Sequence, residues 1–295
     1  MRTKNLFLLL LAGCLIQACE KDINVNLHQQ EEKLVIDGKI ENGRYPYVVL
    51  SNSLDYYAQI SVSTLLKSFV HHAEIIVSNG NSTMKLKEYA EPIAPGISLY
   101  HYSVDSTALN TAFKGQFNAT YSLEVKVDGK VYKANTSIPA NNMVLDSAWW
   151  RRARVNDDTS YARLAIKVTD PATSGNYARY FTKRNTEPYL PGLTSVLDDQ
   201  VVNGTTFELS VDAGVDRTKK LDKDTYSYFK RGDTVTIKFC NIDKNTYDFW
   251  RTLDYAYVNT GNPFASPVQI IGNIPGALGY WGGYAAVYKT IRIKK

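Results

Sequence analysis

Four histidines and three cysteines, together with 29 acidic side chains, are the groups in this chain with the chemistry for catalysis or metal binding. The histidines are His28, the adjacent pair His71 and His72, and His101, and no H-E-x-x-H or related spacing links them. Neighbouring strand residues project to opposite faces, so His71 and His72 would not grip one ion there. Solvated loop or strand positions are the stronger reading. Cys240 ends an alternating run in which Val235, Ile237 and Phe239 share a face, and it points the other way. A structural thiol is expected there rather than a nucleophile.

Carboxylates remain. Glycoside hydrolysis needs two of them roughly 5 to 9.5 Å apart, drawn from anywhere in a chain. Asp157-Asp158 and Asp198-Asp199 are the conspicuous pairs. Sequence neighbours of this kind are usually turn residues and less often calcium ligands, and neither pair has the D-x-D-x-D-G spacing of a calcium loop. The chain also lacks a nucleophile elbow, a phosphate loop and a dinucleotide fingerprint. The expectation is no catalytic residue, no metal and no cofactor, with an envelope hydrolase built on scattered acids as the least favoured alternative.

Aromatic residues offer binding instead. Trp149-Trp150 opens the second half, Trp250 falls on a helical stripe, and Trp281 lies in "GALGYWGGYA". Exposed aromatics stack on sugar rings or anchor interfaces. Trp250 reads as core. Tyr280, Trp281 and Tyr284 have glycine neighbours that give little local cover. They either fill a sheet end, the favoured reading, or project outward as a candidate binding surface.

The elements that would position these groups are mostly strands. "KLVIDGKI" alternates Leu34, Ile36, Gly38 and Ile40 against Val35, Asp37 and Lys39. In "NATYSLEVKVDGKVYKANTSIP", Tyr121, Leu123, Val125 and Val127 share a face and Asp128-Gly129 supplies a hairpin turn. Ala162, Leu164, Ile166 and Val168 form another apolar row. One helix is predicted near 243–259, with Asp243 as N-cap and Phe249, Trp250, Leu253 and Tyr257 on one stripe. The tail begins as a glycine- and proline-rich loop and ends as a strand from Ala285 to Ile293. The reading is mainly β: two β-sandwich domains, 33–138 in the immunoglobulin or fibronectin style and 144–295 with the helix, joined through "IPANNM".

The amino terminus carries an address. Arg2 and Lys4 precede an apolar stretch from Leu6 to Ile16, too short to span a bilayer, which needs about 20 apolar residues. "LAGC" and "IQAC" both fit a lipoprotein cleavage site, at Cys14 and Cys19. The first is the closer match, but cleavage there would truncate the apolar core and leave a greasy "CLIQAC". Cleavage before Cys19 uses the whole core and exposes a polar tether. Residues 1–18 therefore read as the signal peptide, Cys19 as the lipid (palmitate-type) attachment site, and 19–32 as the tether. Removing two of 34 basic residues and no acid lowers the net charge from +5 to +3. That small excess shows no basic face for nucleic acid. With Cys19 acylated, Cys240 has no partner for an internal disulfide.

"LVIDGKI", "YPYVVLSNS", "DPATSGNYARYF", "VLDDQVVNG", "GDTVTIKFCNIDKNTYDFW" and "GNPFASPVQIIGNIPGALGYWGGY" occur here in one order. That order resembles the domain of unknown function 4249 family, outer-membrane lipoproteins of Gram-negative bacteria, from about Leu34 to Tyr284. The resemblance implies a β-rich exported lipoprotein, often encoded beside a TonB-dependent outer-membrane receptor, and it carries over no catalytic residue. The favoured expectation is a non-catalytic accessory lipoprotein that docks on such a β-barrel receptor and assists nutrient uptake. It would be lipid-anchored to the outer membrane, on a face the sequence leaves open. The alternative is a freestanding surface lipoprotein that binds glycan or peptide. Cys19→Ser is expected to abolish membrane retention and Cys14→Ser to leave it intact. Fractionation of both variants checks this, and membrane-bound, acylated Cys19→Ser protein would overturn the assignment.

Overall fold

Seven strands fill the first half of the chain: β1 (Leu34–Glu41), β2 (Tyr47–Asn52), β3 (Glu74–Ser78), β4 (Thr83–Ala94), β5 (Ile97–Val104), β6 (Ala119–Val127) and β7 (Lys130–Ile138). Eight follow: β8 (Val144–Val155), β9 (Asp158–Thr169), β10 (Tyr177–Arg184), β11 (Leu190–Asp198), β12 (Thr206–Val211), β13 (Phe229–Lys230), β14 (Thr234–Ile242) and β15 (Leu278–Arg292). Among the described residues two helices interrupt them, α1 (Val62–Ser68) and α2 (Lys244–Val258). The computed structural model describes residues 31–54, 61–262, 264–266 and 268–295. The segment expected to be a signal peptide, Cys14, Cys19 and almost all of the expected tether lie outside the described residues.

The protein is mainly β, as its alternating patterns require. An 11-stranded sheet runs in the order β11-β10-β14-β15-β1-β2-β5-β4-β3-β6-β7, and a 4-stranded sheet joins β8, β9, β12 and β13. Ala162, Leu164, Ile166 and Val168 are buried on one face of β9, and Val235, Ile237 and Phe239 on one face of β14. The β6–β7 hairpin turns at Asp128 and Gly129, both at positive φ, as a tight two-residue turn demands. Asp243 caps α2: one carboxylate oxygen accepts from Thr246 N–H at 2.8 Å. The other accepts from Thr136 Oγ1 at 2.6 Å and Ser137 N–H at 2.9 Å, which fastens the helix start to β7. The second helix, α1, has Ser61 as its N-cap and falls in a stretch whose sequence pattern did not announce it.

The boundary expected at 138–144 does not separate two sheets. Residues Glu32–Lys295 form one compact unit, because β15 pairs in parallel with β1 while pairing antiparallel with β14. Two apolar cores form, and the first draws residues from both sides of that boundary. The first gathers the inward rows of β1–β7, the second those of β9, β10 and β14. β15 feeds both: Trp281 and Ala285 enter the first core, and Val287 and Ile291 pack on the second. The "IPANNM" segment is pinned rather than loose, since buried Asn241 accepts from Met143 N–H at 2.8 Å and donates to Met143 O and Asn141 Oδ1, both at 3.0 Å.

β15 also begins earlier than its composition predicts, at Leu278 rather than Ala285. Its glycines are required by crowding, not by a turn. A Cβ at Gly283 would lie 2.2 Å from Ser137 O, and one at Gly279, whose φ is +94°, would lie 2.1 Å from Ile36 O. The outward alternative for Tyr280, Trp281 and Tyr284 is thereby corrected: all three are buried, Trp281 completely. Trp281 fills the first core and its Nε1–H donates to Tyr121 O at 3.1 Å. Replacing a core tryptophan by alanine typically costs about 3–5 kcal/mol. Trp281→Ala is expected to lose stability on that scale in urea unfolding, and a change below ~1 kcal/mol would remove Trp281 from its central place in the core.

Candidate docking surface

Helix α2 lies on the face of the large sheet opposite the second core. Tyr247, Phe249, Trp250 and Leu253 pack with Tyr280, Tyr284, Cys240, Ile242 and Phe181. The cluster is aromatic and strongly polar at once. Phe249 stacks on Tyr280 with centroids 4.5 Å apart, Trp250 Nε1–H donates to Tyr284 OH at 2.8 Å, and the Tyr280 and Tyr284 hydroxyls are 3.1 Å apart. Burial pushes both phenols above the usual tyrosine range, so both stay neutral.

Arg179 sits in this cluster only 2% exposed, its guanidinium 3.4 Å from the Trp250 ring centre and 4.6 Å from that of Phe181. Its Nε–H donates to Ser195 Oγ at 3.0 Å. Ser195 in turn donates to Asp254 Oδ2 through its N–H at 3.1 Å and its hydroxyl at 3.2 Å. Asp254 is closed by Arg217, which lies over the Tyr257 ring. Nearby, Glu41 takes Lys238 and the Tyr288 hydroxyl, with Arg44 at 3.4 Å. These charges are compensated by one another, and the Ser195–Asp254–Arg217 chain ties α2 to the sheet.

The sequence candidates are dispersed. His71 bonds Glu88, which also accepts from His72 N–H at 3.0 Å and Tyr102 OH at 3.1 Å. His72, at φ +58°, stands outside any strand. His101 is stacked between Tyr47 at 4.6 Å and Tyr89 at 5.7 Å, and burial lowers its pKa, with Glu91 opposing. Asp157 lies in the β8–β9 turn and Asp158 is the first residue of β9. Asp157 meets Arg154 at 2.6 Å, and Asp158 is held down to about 2 by hydrogen bonds from Ser160 and Lys230. Asp198 accepts from Tyr247 OH at 2.7 Å, while Asp199 is buried and accepts from Asn176 N–H. Trp149 and Trp150 are half-buried. A concavity of about 210 Å³ holds the single carboxylate Asp212, and one of about 420 Å³ holds Asp105, which lies 3.7 Å from Lys87. Among the described residues, no three acidic, histidine or cysteine side chains converge as a metal site.

What the candidates missed is the surface beyond α2. From Tyr255 through Tyr288 the chain carries no charged residue. Part of this run is the buried start of β15. The rest is the last turn of α2 and the loop after it, which doubles back so that Ile271 N–H donates to Thr252 Oγ1 at 3.0 Å. Tyr255, Val258, Val268, Ile270, Ile271 and Leu278 are exposed along it, and Phe264 is 95% exposed. Asn273 ties the loop's end to the sheet by bonding both Trp281 N–H and Trp281 O, at 2.9 and 2.8 Å. The signal was present in the sequence as the missing charges. Contiguous exposed apolar side chains mark interaction sites more often than isolated ones do.

These features define a β-rich protein whose helix-backed sheet supports an uncharged, apolar loop. The chain belongs to the family described as Domain of unknown function (DUF4249), whose model matches residues 20–290. Comparison with curated proteins gives no match. No described helix is long and apolar enough to cross a membrane.

Cys240 lies at the base of the helix cluster. It is fully buried, and desolvation pushes its thiol up to about 12, with Lys238 the largest opposing influence. The native protein is expected to leave Cys240 unreactive to a thiol reagent at pH near 8, with full reaction only on unfolding. Rapid native labelling would show that α2 opens readily from the sheet.

Proposed function

We propose that the protein is a non-catalytic, lipid-anchored subunit of the outer membrane that docks on a TonB-dependent β-barrel receptor and assists nutrient uptake. The observation that carries this reading is the uncharged segment after α2, in which Phe264 is 95% exposed. Apolar and aromatic side chains at the centre of a contact, free of charges that would need desolvation, provide most of the binding energy of protein interfaces. The loop stands on a helix held by buried hydrogen bonds and ion pairs, so little ordering cost attends docking. The lipid on Cys19 supplies membrane attachment and confines the search for a partner to the membrane plane.

A tagged chain recovered from gently solubilised outer membranes is expected to bring down a large β-barrel in stoichiometric amount. Phe264→Ser and Ile271→Ser together are expected to reduce that recovery at least tenfold, which corresponds to about 1.4 kcal/mol, without lowering the unfolding midpoint. Recovery of the lipoprotein alone would overturn the docking reading and turn attention to glycan and peptide screens. Undiminished recovery of the barrel with the double variant would place the contact elsewhere on the protein.

A further inference from the structure

The loop after β9 and the loop after β11 interlock at one end of the second core. Asp170 Oδ2 accepts from Gly204 N–H at 3.1 Å, and Asp170 N–H donates to Thr205 O at 2.9 Å. In the other direction, Asp199 Oδ2 accepts from Asn176 N–H at 2.9 Å and from its Nδ2 at 3.2 Å. Each aspartate therefore reaches into the other's loop. Asp170 is 2% exposed and Asp199 4%. The charge acting on Asp170 is that of Asp199, of the same sign. Asp170 Oδ1 is buried with no hydrogen-bond partner.

Two buried carboxylates that repel one another are costly to keep, and proteins that keep them pair the charge or coordinate a metal. Buried Arg179 and half-buried Lys238 are committed to Ser195 and the aromatic cluster and to Glu41. The geometry points to a divalent cation held between the two loops by Asp170 and Asp199, with the unpartnered Asp170 Oδ1 as one of its ligands, and to calcium as that cation. "DPATSGN" and "DQVVNGT", the two loop segments, contain neither histidine nor cysteine, so their donors are oxygens. Calcium takes six to eight oxygens and accepts backbone carbonyls, asparagine amides and water beside carboxylates, whereas zinc and copper favour nitrogen and sulfur. Because only two carboxylates contribute, the other ligands are neutral, and the affinity falls in the weak range of extracellular calcium modules, about 10⁻⁴ to 10⁻³ M. The ion would clamp the ends of β9 and β11, and so brace β11 at the sheet edge beneath Ser195 and α2.

The experiment uses the soluble Cys19→Ser chain freed of ions with a chelator and then returned to millimolar calcium chloride. Melting temperature and isothermal titration calorimetry are read at neutral pH. A rise in melting temperature of several degrees and a saturable heat at about one ion per chain are expected. Asp170→Asn and Asp199→Asn are each expected to abolish both, while Asp157→Asn, on the exposed β8–β9 turn, keeps them. Because each amide relieves the repulsion, both variants should be at least as stable as the parent in chelator, so loss of folding does not mask the result. Absence of heat and of any shift in the parent chain would overturn the proposal. A shift of equal size in the Asp170→Asn, Asp199→Asn double variant would overturn it as well.

Discussion

β15 pairs in parallel with β1 on one side and antiparallel with β14 on the other, and this double pairing obliges one strand to serve both halves of the chain. Its alternation then has to satisfy three apolar clusters. One face gives Trp281 and Ala285 to the first core and Val287 and Ile291 to the second, and the opposite face gives Tyr280, Tyr284 and Ala286 to the cluster under α2. A strand buried on both faces cannot alternate apolar with polar. It reads instead as a near-continuous run of apolar and small residues, which is the composition of "GYWGGYAAV".

The consequence for α2 follows directly. The helix rests on side chains from β10, β14 and β15 together, so its position is set by the sheet beneath it rather than by helix propensity. Buried charges, Arg179 and Asp254, reinforce this. Arg179 between Trp250 and Phe181, and the Ser195–Asp254–Arg217 chain, would leave unpaired buried charge if the helix moved away. Beyond this base the chain carries no charge from Tyr255 through Tyr288, and Phe264, Val268, Ile270 and Ile271 are exposed.

The two halves also differ in what their ends do. At the end of the second core, the Asp170 and Asp199 carboxylates each accept a backbone N–H from the other's loop. In the first half, buried Glu41 is matched to Lys238, and two partly exposed carboxylates are matched to lysines, Glu74 with Lys85 and Lys126, and Glu124 with Lys126 and Lys133. Exposed pairs of this sort contribute little to stability. Burial beside a like charge, not residue type, makes the Asp170–Asp199 pair unusual.

Local pattern was enough to determine the β class, the rows at 162–168 and 235–239, the Asp128-Gly129 turn and the Asp243 cap, because each depends on residues a few positions apart. Phe249 and Trp250 were legible as a packed helical stripe for the same reason. Only the tertiary structure decided that Tyr280, Trp281 and Tyr284 point inward, that 278–284 is strand, and that 33–138 shares its sheet with the carboxyl-terminal strand. Those outcomes rest on approaches from far along the chain: Ile36 O against Gly279, Ser137 O against Gly283, and Tyr121 O on the Trp281 indole. Sequence spacing records periodicity, and periodicity is silent where a strand is crowded on both faces by segments more than a hundred residues away.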